Sequence, residues 1–311
     1  MSTSGPVNAP PSSVAPPIPF GHVLLALAVI AVWGTNFVII KLGLAQLPPL
    51  LFAALRFALA ALPLVFILPR PAVPWRNLAG YGLAIGLGQF GLMFIAMTRF
   101  ISPGLASLLL QAQAFFTIGL AMWLTRERLR PFQAAAALIA TLGVVVIIFH
   151  TDAHTTPLGV LLALAGALCW GIGNTVSRNA GRVNMLAYVA WSSLFAVPPL
   201  FVLSLLFEGW PRIAASLAHA DWQTWAAVLW QSVGNSIFGY GAWGWLLARH
   251  PAASISPFSL GVPVFGMTAA ALWLGEPMPP WKWSAAALVL AGLTVSVLWP
   301  RWQARLRNAR G

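Results

Sequence analysis

Between His22 and Trp299 the chain runs through ten apolar segments, joined by connections too short to hold a domain. A helix needs about 20 residues to cross the hydrocarbon of a bilayer. The segments lie near His22–Ile40, Leu50–Leu68, Leu78–Met97, Gly104–Leu124, Phe132–Phe149, Leu158–Ser177, Leu186–Phe207, Trp225–Leu247, Ala253–Leu274 and Trp283–Trp299. They are long and do not alternate at a period of two, so helices are expected rather than barrel strands. The eighth is the most interrupted, by Gln231, Gly234, Asn235 and Gly239. Only 7% of the 311 residues are charged, against roughly 25% in soluble domains. A mean hydropathy of +0.83 agrees. The expected fold is an all-α integral membrane bundle of ten transmembrane helices.

The charges carry topology rather than a polyanion site. The formal net charge is +12, but the cations stand singly or in twos and threes between apolar runs. Nucleic acid is therefore not the expected partner; a lipid bilayer and a small-molecule substrate are. With the N-terminus inside, the inner connections and C-terminal tail hold 12 of the 17 cations, among them Arg70, Arg76, Arg126, Arg128, Arg130, Arg178, Arg182 and Arg249. The outer connections hold Lys41, Arg99, Arg212 and Lys282, and Arg56 lies within the second span. The positive-inside rule then puts both termini in the cytoplasm. Tryptophans such as Trp75, Trp210, Trp222, Trp281 and Trp299 fall near span ends, as an interfacial belt requires. Residues 1–20 are rich in Pro, Ser and Ala and lack Lys and Arg, which reads as a disordered tail rather than a signal peptide. Residues 300–311 form a basic tail.

The two halves of the chain echo one another. Trp33-Gly34-Thr35-Asn36 leads to Lys41, and Trp170-Gly171-Ile172-Gly173-Asn174 leads to Arg178, with the cation eight residues after the Trp in both. Later, Phe116, Glu127 and Gly143 match Phe265, Glu276 and Gly292. Residues 21–149 and 157–299 therefore read as two five-span repeats. Because five is odd, the repeats must have opposite orientations, and inverted repeats of this kind place a substrate site between them near the midplane.

Polar groups inside hydrocarbon need a reason. Trp33, Phe37 and Lys41 form one helix stripe with Asn36 beside it, and Trp170, Asn174 and Arg178 form another. As a cavity wall, the aromatics bound the substrate and the amides hydrogen-bond it. Alternatively, the amides join helices and the two cations snorkel to the interfaces. Gln111 and Gln113 stand about 200° apart around a helix, so one faces a cavity and the other a helix contact. Gln89, Gln231 and Asn235 are further candidates. Arg56, about two turns inside its span, pairs with a substrate carboxylate, bonds backbone carbonyls or snorkels outward. Gly82 and Gly86 read as a close-packing face.

None of the five carboxylates, Glu127, Asp152, Glu208, Asp221 and Glu276, falls mid-span. Glu127 and Glu276 close equivalent helices and are expected to pair with local Arg or cap helices. No phosphate-binding loop, metal-ligand set or nucleophile–base constellation is visible, so neither an enzyme nor a cofactor or metal site is expected. The lone Cys169 reads as a small apolar helix residue.

Several of these stretches resemble a known family. Trp33-Gly34-Thr35-Asn36-Phe37 with Lys41, Leu55-Arg56-Phe57, Gly104 to Leu108 leading into Gln111-Ala112-Gln113-Ala114-Phe115-Phe116, and Glu127-Arg128-Leu129 resemble the EamA family of the drug/metabolite transporter superfamily. The Gln-Ala-Gln-Ala-Phe-Phe stretch and Gly239 to Gly244 are similar to its O-acetylserine/cysteine exporters. The resemblance implies a bacterial inner-membrane exporter of amino acid intermediates, working by alternating access through a cavity lined by helices 1, 3, 4, 6, 8 and 9. It puts Asn36, Gln89, Gln111 or Gln113, Asn174 and Asn235 on lining helices and leaves Arg56 on a peripheral one. An uncharged, amide-rich site suits a small zwitterion, with O-acetyl-L-serine and cysteine as first candidates. Other metabolites or drugs of the superfamily (aromatic amino acids, nucleosides, toxic cations) are the alternative within transport. A channel or an intramembrane enzyme is the alternative outside it.

Overall fold

The computed structural model describes residues 18–126, 130–151 and 155–308, and every regular element among them is helical. In chain order the helices are α1 (Phe20–Gly43), α2 (Pro49–Val65), α3 (Trp75–Arg99), α4 (103–125), α5 (Pro131–Phe149), α6 (Pro157–Arg178), α7 (Met185–Phe207), α8 (Trp210–His219), α9 (222–249), α10 (252–274) and α11 (Pro280–Asn308). Among the described residues, eight helices are long and apolar enough to cross a membrane, and α2 is a shorter apolar helix. The last helix continues to Asn308, so the basic tail expected from residue 300 begins as helix.

Local sequence explains the boundaries. Proline opens α2, α4, α5 and α6 at a position where a backbone N–H has no helical partner anyway. Thr156, Asn184 and Asp221 cap α6, α7 and α9 through side-chain oxygens that accept backbone N–H bonds. Gly275 ends α10 at a φ of 63°, a left-handed conformation suited to glycine. Two carboxylates cap helices far away in sequence. Glu208 accepts from the N–H groups of Leu50 and Leu51 at the start of α2. Glu276 accepts from Gly104 N–H and the Ser102 hydroxyl at the start of α4, and pairs with Lys282 at 2.8 Å. Glu276 thus both caps a helix and pairs with a cation, with the partner being lysine. Its counterpart Glu127 lies outside the described residues.

The surface has the polarity of a protein immersed in lipid. Phe66, Phe149, Leu206, Phe207, Leu272 and Trp273 are exposed, whereas Asn36, Arg56, Gln89, Gln231 and Asn235 are buried. This inversion is clearest on α9. Its Leu229, Trp230, Val233 and Phe238 face outward, and its Gln231, Ser232, Asn235 and Ser236 face α1 and α2. In water such an arrangement would leave the apolar face unburied. In a bilayer it is the stable one.

Helix packing exchanges between the halves. α5 lies along α11, α2 along α7, α1 against α10, and α6 against α4. Gly34 on α1 meets Phe265 on α10, and Gly171 on α6 meets Phe116 on α4. A Cβ on Gly143 would lie 2.7 Å from Val289 Cγ2 and 2.9 Å from Ala285 O. One on Gly292 would lie 2.5 Å from Ala136 O and 2.9 Å from Ala140 Cβ. Such close approach of backbones needs small residues. Gly82 and Gly86 play the same part against Ser192 and Ala196 of α7. Gly143→Leu is therefore expected to overpack the α5–α11 seam by about 1–3 kcal/mol. It should lower the melting temperature in detergent, while Gly119→Ala, with no atom within 4 Å of the added carbon, does not lower it.

Candidate functional site

Two helices depart from α geometry at their centres. α3 is π-helical over Leu83–Gly91, and α9 is π-helical over Trp230–Phe238. Each stretch is nine residues long and includes or adjoins glycines. π segments widen a helix, shift the facing of its side chains and recur at functional sites. Here they aim Gln89 and Phe90 from one side, and Asn235 and Tyr240 from the other, at a common cavity.

The cavity is narrow, with a volume of about 50 Å³. α1 contributes Trp33, Asn36, Phe37 and Ile40; α4 contributes Ser107, Leu110 and Gln111; α6 contributes Trp170. Met93 of α3 and Val262 of α10 complete the wall. Counted at 1.5 Å per residue from Lys41 and Arg99, the lining positions of α1 and α3 run from about 2 Å deep at Ile40 to about 15 Å at Gln89. Asn36 Oδ1 accepts from Gln231 Nε2 at 2.6 Å, and Trp33 Nε1 donates to the Asn235 carbonyl at 3.3 Å. Gln111 Nε2 donates to the Ser259 carbonyl at 3.1 Å. Trp33 also packs against Tyr240 and Trp243.

Six of the residues expected from sequence meet in this wall: Trp33, Asn36, Gln89, Gln111, Trp170 and Asn235. Gln113 and Asn174 do not. Asn174 Nδ2 donates to Gln113 Oε1 at 2.8 Å and to Thr117 Oγ1 at 3.1 Å, so the two amides satisfy each other between α4 and α6. Gln111 is thus the glutamine on the cavity, and Gln113 makes the helix contact. Lys41 donates 2.9 Å bonds to the carbonyls of Met97 and Thr98, the C-terminal end of α3, where a cation is favoured. It shares a vestibule with Arg99, Glu276 and Lys282 rather than the cavity. Arg178 is exposed at the end of α6.

Arg56, which the resemblance leaves on a peripheral helix, is not in the cavity wall, and its side chain is fully buried. Its guanidinium lies 3.8 Å from the centre of the Phe90 ring, a cavity wall residue, and 4.6 Å from that of Phe57. Nη2 donates to Ser236 Oγ at 2.8 Å, and Ser236 in turn donates to the Gln231 carbonyl. A helix at the rim of a span order can still send a long side chain inward. Sequence reasoning missed Tyr240, Phe90 and Ser236 as members of this group. The signal was present: Gln231, Asn235 or Ser236, and Tyr240 recur every four to five residues, the spacing of a π rather than an α turn.

The Gln113–Asn174 lock gives a test. Asn174→Leu alone removes the closer donor from the half-buried Gln113 Oε1, leaving it the Thr117 hydroxyl at 3.4 Å, and should cost about 0.5–1.5 kcal/mol. Asn174→Leu with Gln113→Leu removes both partners and should recover most of the lost melting temperature.

The profile of the EamA-like transporter family matches the chain twice, over residues 20–149 and 157–298. A protein named "Probable amino-acid metabolite efflux pump" from Salmonella typhimurium is 42% identical over 279 residues, covering 88% of this chain and 93% of that protein. One of the same name from Escherichia coli is 41% identical over 286 residues, covering 90% and 96%. A solved crystal structure superposes with a TM-score of 0.62 at 22% identity, covering 91% of this chain and 98% of that one, and shares the fold. The double match spans nearly the whole helical bundle, and the chain is a member of the EamA-like transporter family.

Proposed function

We propose that the protein exports small neutral amino acid metabolites across the bacterial inner membrane by alternating access, with O-acetyl-L-serine and cysteine as leading substrates. The observation that carries the reading is the buried central cavity, in which carboxamides from three helices (Asn36, Gln89 and Gln111) converge between aromatic rings. Amides both donate and accept, which suits a ligand that has an ammonium and a carboxylate. Trp33, Phe37, Phe90 and Trp170 supply the apolar wall that excludes water.

We read the architecture as ten spans in two inverted five-helix repeats, α1–α5 and then α6, α7 and α9–α11, with α8 outside the count. The exchanged pairings of α1 with α10 and α6 with α4, the reciprocal glycine contacts and the matching π segments of α3 and α9 support it. The distribution of cations supports cytoplasmic termini. Transport then consists of rocking one repeat against the other about the cavity. Lys41, Glu276 and Lys282 act at the outer rim, where they tie α3, α4 and α11 together.

The ring-rich wall favours a second reading, in which aromatic amino acids are the cargo. Counterflow in proteoliposomes separates the two. Vesicles preloaded with unlabelled cysteine or O-acetylserine should take up the labelled compound with saturation, and tryptophan should compete weakly. Preferred exchange of tryptophan would select the second reading. Absence of counterflow for every amino acid would overturn both, and non-saturating conductance would indicate a channel.

A further inference from the structure

An unpartnered positive charge is the feature of this structure that export through an uncharged cavity leaves unexplained. Arg56 is fully buried, roughly 10 Å from the start of α2, yet among the described residues no carboxylate approaches it. Glu208 and Glu276 cap helix ends, and Asp221 caps α9 while bonding Gln46. The flat faces of the guanidinium meet aromatic rings, which offset part of the cost of burying a charge. Its edges are another matter. Nη2 has Ser236, but Nε and Nη1 are buried donors with nothing to donate to.

The neighbouring unpartnered atoms are of the opposite kind. Gln89 Oε1 and Gln231 Oε1 are buried acceptors with nothing to accept. Gln89 lines the cavity next to Phe90, and Gln231 is tied through Asn36 to the same wall. Donors without acceptors beside acceptors without donors is the pattern a bound zwitterion completes: carboxylate oxygens for the first set, an ammonium for the second.

One ring stands between cavity and charge, and a second lines this cavity and a neighbouring one. Phe90 lines the cavity while covering the guanidinium. Tyr240 lines both the cavity and a smaller pocket that it shares with Tyr81 and the unpartnered Ser192 hydroxyl. Both rings belong to or adjoin the π segments of α3 and α9.

We propose that Arg56 is the carboxylate anchor of the transported amino acid, reached when the Phe90 partition opens, with Gln89 Oε1 receiving the ammonium. The proposal deepens the export reading and rests on it for the identity of the ligand. It makes the free carboxylate, rather than side-chain chemistry, the first requirement for recognition. An amino acid amide or a decarboxylated amine is no larger than the amino acid but leaves the guanidinium unpaired.

The test uses the full chain in two formats. In proteoliposomes, cysteine is compared with cysteinamide and cysteamine as competitors of labelled cysteine. The wild type should prefer cysteine at least tenfold. Arg56→Gln should raise the KM for cysteine at least tenfold and lose that preference, and Arg56→Lys should keep part of it. In detergent, sodium acetate at matched ionic strength should raise the melting temperature of the wild type above that in acetamide or chloride, and should not do so for Arg56→Gln. Equal competition by cysteinamide in the wild type, or a wild-type KM in Arg56→Gln, overturns the anchor while leaving export standing. If Arg56→Gln does not fold, the wild-type competitor series and Arg56→Lys decide. Acetate stabilisation without any counterflow would keep the anion site and remove the export reading. No stabilisation by acetate over chloride in the wild type overturns the site itself.

Discussion

A full positive charge in a hydrocarbon slab is the constraint around which this bundle is organised. Lipid offers no hydrogen bonds, so every polar group placed at membrane depth must be met by protein or by ligand. Arg56 is met by Phe90 and Phe57 on its faces and by Ser236 on one edge. Those contacts require α9 to lie beside α2 with its polar side inward. That in turn brings Gln231 to Asn36 on α1 and the Asn235 carbonyl to Trp33. The helix with the most polar centre is thereby the one at the middle of the site, and its apolar residues are left to face lipid. The same principle explains why the carboxylates stay at helix ends, where they satisfy N–H groups that the helices leave open.

The cavity follows from the way two similar halves cross. Small residues let α1 approach α10 and α6 approach α4, and the same contacts recur with the partners exchanged. Close backbone packing at these crossings leaves the space between them to be filled by side chains, and those side chains are large rings and amides. The π segments set the final aim. A regular α-helix through Trp230–Phe238 would step its side chains at 100° and rotate Tyr240 relative to Gln231; the wider turn keeps both on the inner side.

Much of this is legible in the sequence, and the rest is illegible for identifiable reasons. Long apolar runs, cation placement and the echo of Trp33-Gly34 in Trp170-Gly171 are local signals, so the helices and the resemblance to a transporter family can be read directly. Asn36, Gln89, Gln111 and Asn235 are recognisable because an amide inside an apolar run has few other uses. The Gln113–Asn174 pair carries the same signal and means something else, because two amides on facing helices can satisfy one another. Which outcome holds depends on the relative rotation of α4 and α6, a tertiary quantity. The contacts of Arg56 are illegible for a related reason: the position of a helix in a bundle does not fix where a long side chain ends. The π turns are hidden because an α period is assumed when faces are assigned.

The central claim is that a carboxylate completes the buried site at Arg56. Rotational-echo NMR on the protein in lipid vesicles measures it directly, with ¹⁵N in the arginine guanidinium groups and ¹³C in the carboxyl of bound cysteine. The account predicts a carbon–nitrogen contact of about 3.5–4 Å in the wild type, the separation set by a charge-assisted N–H···O bond of about 2.8 Å to the carboxylate oxygen. The contact should vanish in Arg56→Lys. A bound carboxylate with no guanidinium nitrogen within reach, or a contact that survives the substitution, would contradict it.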